Sequence, residues 1–374
     1  MNLAITPLQA AAFLLASYAV LGNDALQTLG PFLAANRGRI ARPWQALFLC
    51  AVLVAVLGLG WLAGAGDPAW GRLASFELVD PLRWPDLIPP LAVLLLTQWG
   101  APVSTSFLVL TAFTPANLPA LLLHSLAGYG LALVLGLATY ALVAGASRGL
   151  GKAAVAGTAV AESAVVETAV AAPVVSKLAA SELTSSELTS SELTASELAA
   201  QPQSADPLRQ EDGQRFWLLL QWAASGWLWS QWLIQDLANL YVYLPRRLTA
   251  PELAASLAVL CLGVCLLTAE DGGAIQQLFT SKSGSDDPRS TTLISALYGL
   301  ILFVLGRWSP LPLSTTWVFL GLLGGRELAL GWQRRRRGQA PWAAGLSTDL
   351  FKAGLGLAVS LVVALSVPLL KSQL

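Results

Sequence analysis

Charged residues are scarce in this chain of 374 residues. They make up 12% of the sequence, as 22 basic and 22 acidic side chains, whereas a soluble globular domain carries about 25%. So little charge cannot cover the surface of a water-soluble protein of this length, which argues against a soluble enzyme or a disordered protein. The net charge is zero, so no electrostatic footprint for a nucleic acid is present and no such partner is expected.

Histidine and cysteine are also scarce. The one histidine, His124, lies near the start of an apolar segment, where we expect it at the membrane interface. Cys50, Cys261 and Cys265 lie in apolar stretches without metal-ligand spacing, and we expect buried thiols. The sequence has no nucleotide-binding loop and no nucleophile–base arrangement. We therefore expect neither an enzyme nor a cofactor.

Hydrophobic residues, by contrast, make up 55% of the chain. A helix that crosses a bilayer needs about 20 mostly apolar residues. Four uninterrupted segments meet this requirement, namely 44–66, 119–146, 251–268 and 345–370. They predict an all-α polytopic membrane protein, which we place in a bacterial inner membrane among lipid.

Four further apolar segments are interrupted by polar residues, and the interruptions fall in pairs. The segments are 8–36, 87–113, 216–245 and 292–331. Asp24 and Asp236 interrupt the first and third and lie 212 residues apart, while Ser104 and Ser314 interrupt the second and fourth and lie 210 residues apart. A nearly constant offset over two unrelated motifs predicts an internal repeat with discontinuous helices.

The repeat divides the chain into three parts. We predict one transmembrane repeat over residues 1–148 and a second over residues 214–374. The linker, 149–213, contains four pentads that begin Ser-Glu-Leu. Five residues advance about 500° on a helix, so the leucines spiral and form no packed face. The linker is therefore expected to be a flexible or partly helical tether.

Basic residues predict the topology, because they favour the cytoplasmic side of a membrane. Those that flank apolar segments are Arg37, Arg39, Arg42, Arg148, Lys152 and Arg334 to Arg337. All lie on one side if 87–113 and 292–331 are re-entrant hairpins that each enter and leave on the same side. The linker is then cytoplasmic, both termini are outside, and the two repeats have inverted topology. Arg246 and Arg247 lie outside as an exception.

The two intramembrane carboxylates are candidate cation ligands. A carboxylate at the bilayer centre costs about 2.5–3.5 kcal/mol on insertion scales, so it is functional by default. Each has an amide just before it and another three residues later, on the same helix face. These amides are Asn23, Gln27, Gln235 and Asn239. Their oxygens, with freed backbone carbonyls, suit Na⁺, while their NH₂ groups could instead donate to an oxyanion. The alternative is that they are polar contacts between packed helices.

The second pair of motifs offers hydroxyl groups at helix N-termini. Pro102-Val103-Ser104-Thr105-Ser106 matches Pro312-Leu313-Ser314-Thr315-Thr316. Proline suits the first turn of a helix and Ser or Thr caps it, and the free N–H groups there attract anions. Two such tips would surround a tetrahedral oxyanion with donors. The alternative is ordinary capping in a re-entrant loop.

Together these motifs resemble the inorganic phosphate transporter (PiT) family of secondary carriers. Its members show a Gly-x-Asn-Asp-x-x-Asn pattern in both halves and a Pro-x-Ser-Thr-Thr pattern later in each half. The stretch from Ser314 to Glu327 is similar to a bacterial branch labelled phosphate or sulfate permease. Two departures occur in each motif pair: Gln27 and Gln235 stand where the family has asparagine, and Phe107 and Trp317 stand where it often has histidine.

The resemblance implies a symporter of inorganic phosphate that works by alternating access and is coupled to Na⁺ or H⁺. The expected oxyanion ligands are Ser104, Thr105, Ser106, Ser314, Thr315, Thr316, Asn23 and Gln235. The expected cation ligands are Asp24, Gln27, Asp236 and Asn239, with Asp24 and Asp236 as the direct Na⁺ ligands. The alternatives are a permease for sulfate or another oxyanion, and a passive anion channel. A homodimer is compatible with this class.

Overall fold

The computed structural model describes residues 5–78, 81–99, 103–149, 207–269, 288–309, 311–336 and 343–373. Within these ranges the chain is helical and contains no strand. Most of the predicted linker, including the four pentads, lies outside the described residues, and its role as a tether stays a prediction. Two compact units are distinguished: Met1–Ala144 with Leu220–Leu374, and Gly145–Leu219. All of the predicted site residues belong to the first unit.

The first half contains six α-helices and two π-helical segments among its described residues. They are α1 (Pro7–Val20), a π segment (Leu21–Ala25), α2 (Leu26–Asn36), α3 (Arg42–Ala63), α4 (Ile88–Gln98), a second π segment (Ser106–Leu110), α5 (Thr111–Phe113) and α6 (Leu118–Gly149). Short 3₁₀ turns cover Trp84–Leu87 and Pro115–Asn117. Thr6 and Gln9 form a capping box at the start of α1, which satisfies backbone groups at that helix end.

The second half follows the same order. Its helices are α7 (Pro207–Asp236), α8 (Ala238–Tyr241), α9 (Ala250–Ala269), α10 (Pro288–Trp308), α11 (Thr315–Arg336) and α12 (Ala343–Ser372). A broken helix, a continuous helix, a hairpin and a final long helix therefore occur in the same order in each half.

Five helical stretches in the described residues are long and apolar enough to cross a membrane. They are Arg42–Ala63, Pro115–Leu142, Ala250–Ala269, Arg289–Trp308 and Gly354–Ser372. Four of them coincide with the uninterrupted segments found in the sequence, so the prediction of an all-α integral membrane protein is confirmed. The fifth is α10, which belongs to the segment predicted to be re-entrant. Its 21 residues make it about 31 Å long.

Helices α3 and α9 occupy equivalent places in the two halves and run antiparallel to each other. Arg42, at the start of α3, donates from Nη1 to the carbonyl oxygen of Ala269, at the end of α9, at 2.6 Å. Trp61, near the end of α3, donates from Nε1 to the carbonyl oxygen of Leu248, just before α9, at 2.7 Å. One end of this pair therefore carries Arg42, and the other carries the loop that follows α3, residues 64–78.

The two serine–threonine motifs lie at the tips of two helical hairpins. Helix α4 packs against the π segment after the first motif, and α10 packs against α11. Loop 64–78 contacts the open end of the first hairpin, since Glu77 N donates to Thr114 Oγ1 at 3.1 Å. The same loop contacts the tip of the second hairpin, since Arg72 Nη1 donates to the carbonyl oxygen of Ser309 at 2.7 Å. The hairpins therefore point in opposite directions.

The hairpins differ in length. Helix α4 has 11 residues, whereas α10 has 21. The second hairpin therefore has an arm long enough to cross a bilayer, whereas the first does not. Its re-entrant character stays a prediction.

The final long helix of the first half, α6, packs closely against α11 of the second half. A Cβ added at Gly136 in α6 would lie 2.7 Å from the carbonyl oxygen of Leu322. One added at Gly325 in α11 would lie 2.2 Å from the carbonyl oxygen of Leu133. Such approach of two backbones is typical of small residues in membrane helix pairs, and it ties the two halves together.

The prediction of buried thiols is wrong for one cysteine. Cys50 and Cys261 are half-buried between α3 and α9, but Cys265 is exposed. Cys265 lies on α9, one of the candidate spans, and the exposed face of a spanning helix meets lipid. An apolar environment therefore does not require burial inside the protein.

Candidate functional site

Both predicted intramembrane carboxylates lie at breaks in helices. Asp24 belongs to the π segment between α1 and α2, and π-helical turns of this kind frequently mark functional sites. In the second half, α7 ends at Asp236 and α8 begins at Ala238. The side chains of Asp24 and Asp236 are 1% and 0% exposed. The interruptions seen in the sequence therefore hold both carboxylates inside the protein.

Three side chains donate hydrogen bonds to the Asp24 carboxylate. Thr105 Oγ1 donates to Oδ2 at 2.5 Å, and Thr316 Oγ1 donates to Oδ1 at 3.0 Å. Asn23 Nδ2 donates to Oδ1 at 2.8 Å, and the same amide donates to the carbonyl oxygen of Val103 at 2.7 Å. Hydrogen bonds to a charged acceptor are among the stronger ones in proteins, so this carboxylate is firmly oriented.

The Asp236 carboxylate has a matching set of donors. Thr315 Oγ1 donates to Oδ2 in a short hydrogen bond, and Ser106 Oγ donates to Oδ1 at 3.5 Å. Asn239 Nδ2 contacts Oδ1 at 3.2 Å and Thr105 Oγ1 at 3.0 Å. Each carboxylate is therefore bound by two hydroxyl groups and one amide.

The hydroxyl groups of the two halves make equivalent contacts with the carboxylates. Thr105 and Thr315 each bind the carboxylate of their own half. Ser106 and Thr316, one residue later in each motif, bind the carboxylate of the other half. The four hydroxyls thus link each carboxylate to both hairpin tips, and the two predicted motif pairs form one cluster.

The hairpin tips are also bound directly to each other. Thr316 Oγ1 contacts the carbonyl oxygen of Val103 at 3.0 Å, and Ser106 Oγ contacts that of Leu313 at 3.5 Å. Val103 and Leu313 hold the same position in the two motifs. The tips therefore meet at the centre, where all four interrupted segments converge.

The first serine of each motif caps the helical turn that follows it. Ser104 Oγ accepts from the backbone N–H of Phe107 at 3.3 Å, and Ser314 Oγ accepts from that of Trp317 at 3.3 Å. The N–H of Ser314 in turn donates to Ser125 Oγ at 3.0 Å. Ser104 and Ser314 therefore have the capping role that the sequence left as an alternative, and each keeps its hydroxyl hydrogen for a further acceptor.

The four amides are not equivalent. Asn23 and Asn239 join the carboxylates, and Gln27 Nε2 reaches Asn23 Oδ1 only at 3.5 Å. Gln235 turns away from the cluster, and its Nε2 donates to the carbonyl oxygen of Leu302 in α10 at 3.2 Å. The longer glutamine arm reaches a neighbouring helix where asparagine would not, so the repeat is asymmetric here.

Two amide oxygens in the second half are buried without a hydrogen-bond donor among the described residues, namely Gln235 Oε1 and Asn239 Oδ1. A buried polar atom is normally satisfied. Both residues lie near Asp236 in the sequence, whereas in the first half Asn23 Oδ1 accepts from Gln27 Nε2.

The whole cluster is closed to solvent. None of the twelve residues predicted from the sequence has more than 4% of its surface exposed. The described residues contain no group of three or more His, Cys, Asp or Glu that could hold a metal ion. A cation here would therefore be bound by hydroxyl, amide and carboxylate oxygens rather than by a transition-metal ligand set.

The aromatic residues that follow the two hydroxyl motifs, Phe107 and Trp317, lie in contact. The Phe107 and Trp317 rings are edge to face with centroids 5.9 Å apart. His124 is half-buried near the start of α6. The sequence departures thus place an aromatic pair beside the hydroxyl motifs.

Several residues that contact the cluster were not identified from the sequence. Tyr298 is fully buried in α10, and its hydroxyl donates to the carbonyl oxygen of Thr315 at 2.8 Å. Thr28 Oγ1 donates to the backbone carbonyl of Asp24 at 3.0 Å, a contact that its i+4 spacing could have suggested. Tyr298 gave no signal, because it lies in an apolar helix and reaches the motif only across the hairpin.

Comparison with known proteins identifies the fold. No family model matches this sequence, and no curated protein matches it. A solved structure described as "The sodium-dependent phosphate transporter" is similar with a TM-score of 0.57 and 14% sequence identity. The similarity covers 98% of this chain and 100% of that chain. The chain therefore shares the fold of that structure over the whole length of both chains.

Proposed function

We propose that this chain is a secondary transporter of inorganic phosphate, coupled to Na⁺, and that it is a member of the PiT family. The observation that carries the proposal is the central cluster, in which Asp24 and Asp236 are each bound by hydroxyls from both hairpin tips. The described similarity to a sodium-dependent phosphate transporter supports the same substrate and the same cation.

The carboxylates explain why transport would be coupled. Two buried negative charges repel a phosphate anion unless a cation lies between them. The unpartnered oxygen Asn239 Oδ1 belongs to the amide that contacts Asp236 and would add a ligand to an oxygen shell for Na⁺. The proposed order is therefore cation first and phosphate second.

The hydroxyl groups explain how an oxyanion would be held. Each hydroxyl has one hydrogen, and in this structure Thr105, Thr315 and Thr316 direct it to a carboxylate. A cation on the carboxylate releases that hydrogen, so the same hydroxyl oxygen can face Na⁺ while its hydrogen binds phosphate. The backbone N–H groups at the hairpin tips add donors.

Alternating access is the mechanism that this arrangement favours. The antiparallel run of α3 and α9 and the opposed hairpins support two repeats of inverted topology, the architecture of many secondary transporters. Because the twelve cluster residues are buried, the conformation described is closed at both ends. We place the Arg42 end in the cytoplasm of a bacterial cell, following the basic residues near it.

Uptake into proteoliposomes tests this function. Purified protein is reconstituted, and uptake of radiolabelled phosphate is followed with an inward Na⁺ gradient, with an inward H⁺ gradient, and with K⁺ in place of Na⁺. We expect accumulation above the equilibrium level with Na⁺ alone. Equal uptake under all three conditions would show a passive channel, and no uptake from folded protein would contradict transport of phosphate.

Competition tests the substrate. Sulfate and arsenate are added in excess to the same Na⁺-driven assay. Arsenate shares the charge and tetrahedral shape of phosphate and is expected to compete, while sulfate is not. Strong competition by sulfate with weak competition by unlabelled phosphate would assign the chain to the sulfate permeases instead.

A further inference from the structure

Arg72 is a buried arginine that binds the tip of the second hairpin. Only 7% of its surface is exposed. Its Nη1 donates to the carbonyl oxygen of Ser309 at 2.7 Å, and its Nη2 donates to that of Gly306 at 2.9 Å. Gly306 lies in the last turn of α10 and Ser309 directly follows the helix, where the C-terminal carbonyl groups carry partial negative charge. One guanidinium therefore holds the end of α10 immediately before the second serine–threonine motif.

Loop 64–78, which carries Arg72, is held in its conformation by several hydrogen bonds. Asp67 accepts from the backbone N–H groups of Ala69 and Gly71, both at 2.8 Å. Trp70 Nε1 donates to the carbonyl oxygen of Val56 in α3 at 3.2 Å. The backbone on the N-terminal side of Arg72 is thus held by hydrogen bonds, and the arginine side chain extends from this ordered segment to the hairpin tip.

The same loop is bound to the rest of that end of the molecule. Leu248 N donates to the carbonyl oxygen of Gly66 at 2.8 Å, and Asn117 Nδ2 donates to that of Ser75 at 2.8 Å. These contacts join the loop to the segment before α9 and to the exit of the first hairpin. Through Arg72 the loop also contacts the second hairpin, whose two arms extend from the opposite end of the molecule.

Arg72 also lies close to the side chain of Gln235. A Cβ added at Gly306 would clash with Gln235 Nε2 and would lie 2.9 Å from Arg72 Nη2. The guanidinium and the amide therefore approach the same point, and Gln235 directly precedes Asp236. Arg72 thus lies beside the residue that precedes the second carboxylate, at the end of the molecule that carries loop 64–78.

The charge of Arg72 is held by carbonyl oxygens without a carboxylate partner among the described residues. Burial accordingly lowers the pKa of its guanidinium. In Arg246, on the same end of the molecule, the negative charge of Asp67 acts against the effect of burial on the pKa. Neutral partners hold a guanidinium less tightly than a buried ion pair would, so these contacts suit a connection that opens and closes.

We infer that Arg72 is a positioning residue that closes the loop end of the transport path. Its bonds to Gly306 and Ser309 keep the second hairpin tip against loop 64–78, and opening toward that end requires them to break. The inference rests on the proposed alternating access but does not depend on which ion is carried. It predicts that loss of these two hydrogen bonds exposes the hairpin tip to water on the side of the membrane where loop 64–78 lies, and not on the side of Arg42.

Thiol accessibility tests the inference. Cys50, Cys261 and Cys265 are replaced by alanine, and Ser309→Cys provides one reporter at the tip, where Ser309 is buried. Proteoliposomes of one orientation are treated with a charged, membrane-impermeant methanethiosulfonate from either side. Arg72→Met keeps the bulk of the side chain but removes both hydrogen bonds, and Arg72→Lys keeps the charge.

We expect the rate of modification of the Ser309→Cys thiol to change when the reagent is added on one side of the membrane only. Hydrogen bonds from a charged group stabilise the closed tip enough that their loss should raise the modification rate from the loop end about tenfold or more. Arg72→Lys should give a smaller increase, because one ammonium cannot reproduce the bidentate contact. Modification from the Arg42 end should not change.

Arg246→Met is the matched control. Arg246 is also partly buried, and its Nη2 donates to the carbonyl oxygens of Phe76 and Glu77 in the same loop, but it does not hold the tip. An increase in Arg246→Met equal to that in Arg72→Met would overturn the inference, because the effect would then be general loosening of the loop. An unchanged rate in a folded Arg72→Met protein would overturn it as well.

The test separates this inference from the proposed function. Accessibility of the reporter is measured without phosphate, so a one-sided increase supports closure by Arg72 even if phosphate is not the substrate. Conversely, Na⁺-driven phosphate uptake with no rate change in Arg72→Met would preserve the function and reject the role of Arg72.

Discussion

Thr316 Oγ1 donates a hydrogen bond to Asp24 Oδ1 at 3.0 Å, although the two residues are separated by 292 positions in the sequence. Ser106 makes the reciprocal contact with Asp236 at 3.5 Å. Each contact therefore joins a hairpin tip to the carboxylate of the other half. A transporter built in this way would bind its ions and close over them together.

The first prediction concerns that contact. Thr316→Val keeps the shape of the side chain but removes the donor to Asp24 and to the carbonyl oxygen of Val103. A hydrogen bond to a charged group contributes about 1.5–3 kcal/mol, so Na⁺-driven uptake should fall about tenfold or more. Ser106→Ala should have a smaller effect, because its contacts are longer.

Thr268→Val is the control for this pair. Thr268 is buried in α9, and its hydroxyl bonds only to carbonyl oxygens of its own helix. Its replacement should leave uptake within about twofold, since a helical threonine loses little when such a bond is removed. Uptake by Thr316→Val at the level of the control would show that the cross-half contact is dispensable.

The second prediction concerns the carboxylates. Asp236→Asn keeps the size of the side chain but removes the negative charge that the proposed Na⁺ site needs. We expect uptake to lose its Na⁺ dependence and to fall about tenfold or more. Asp24→Asn should behave alike, and isothermal titration with Na⁺ in detergent reports the loss of binding directly.

Glu252→Gln serves as the matched carboxylate control. Glu252 accepts from the backbone N–H of Thr249 at 2.7 Å at the start of α9, away from the cluster. This variant should keep normal Na⁺ binding. If Asp236→Asn also bound Na⁺ normally, the carboxylate would be a packing residue, as the sequence left open.

The third prediction concerns the packing of α6 against α11. A Cβ at Gly136 would lie 2.7 Å from the carbonyl oxygen of Leu322, which is backbone and cannot rotate away. Gly136→Ala should therefore lower the free energy of unfolding by about 1–3 kcal/mol, measured by thermal unfolding in detergent with tryptophan fluorescence.

The same helix offers a comparison at Gly130, where no atom lies within 4 Å of an added Cβ. Gly130→Ala should leave the unfolding temperature unchanged or raise it slightly, since alanine has the higher helix propensity. Equal destabilisation by both variants would mean that close approach at Gly136 is not the cause.

The fourth prediction concerns the contact between the first hairpin and the C-terminal helix. Lys371 Nζ lies 2.6 Å from Asp86 Oδ1, and the Asp86 side chain is almost completely buried. Lys371→Met leaves a buried carboxylate without its partner, which should destabilise the protein by about 3 kcal/mol. The double variant Lys371→Met with Asp86→Asn should recover much of this loss, because no charge is then left unpaired. Lack of recovery would assign the loss to packing of the lysine stem.

Several features of this protein followed from the sequence because their physical cause is local. Too little charge for a soluble surface predicted the membrane, and the offset between Asp24 and Asp236 predicted two equivalent halves. The high free energy of a carboxylate in a bilayer marked those two residues before any contact was known. The cluster residues could be named for this reason, and the structure brings them together in the first unit.

Other features depend on which helices meet, and a single sequence does not contain that information. Gln235 has the spacing of a site amide, yet its side chain bonds to Leu302, because α10 lies within reach of the longer arm. Arg72 follows no motif and reaches the second hairpin across 237 positions. Its role exists only because loop 64–78 and the tip of α10 arrive at the same place from opposite ends.

The apolar environment and the polar residues within the apolar segments could therefore be predicted from the sequence alone, since each follows from the free energy of placing a residue type in lipid or in a helix. How those residues are paired depends on the three-dimensional packing of the chain. Thr105 binds the carboxylate of its own half and Ser106 that of the other, although the two are adjacent and chemically similar. Adjacent residues on a helical turn point in different directions, and only the packing of the opposed hairpins sets which carboxylate each one meets.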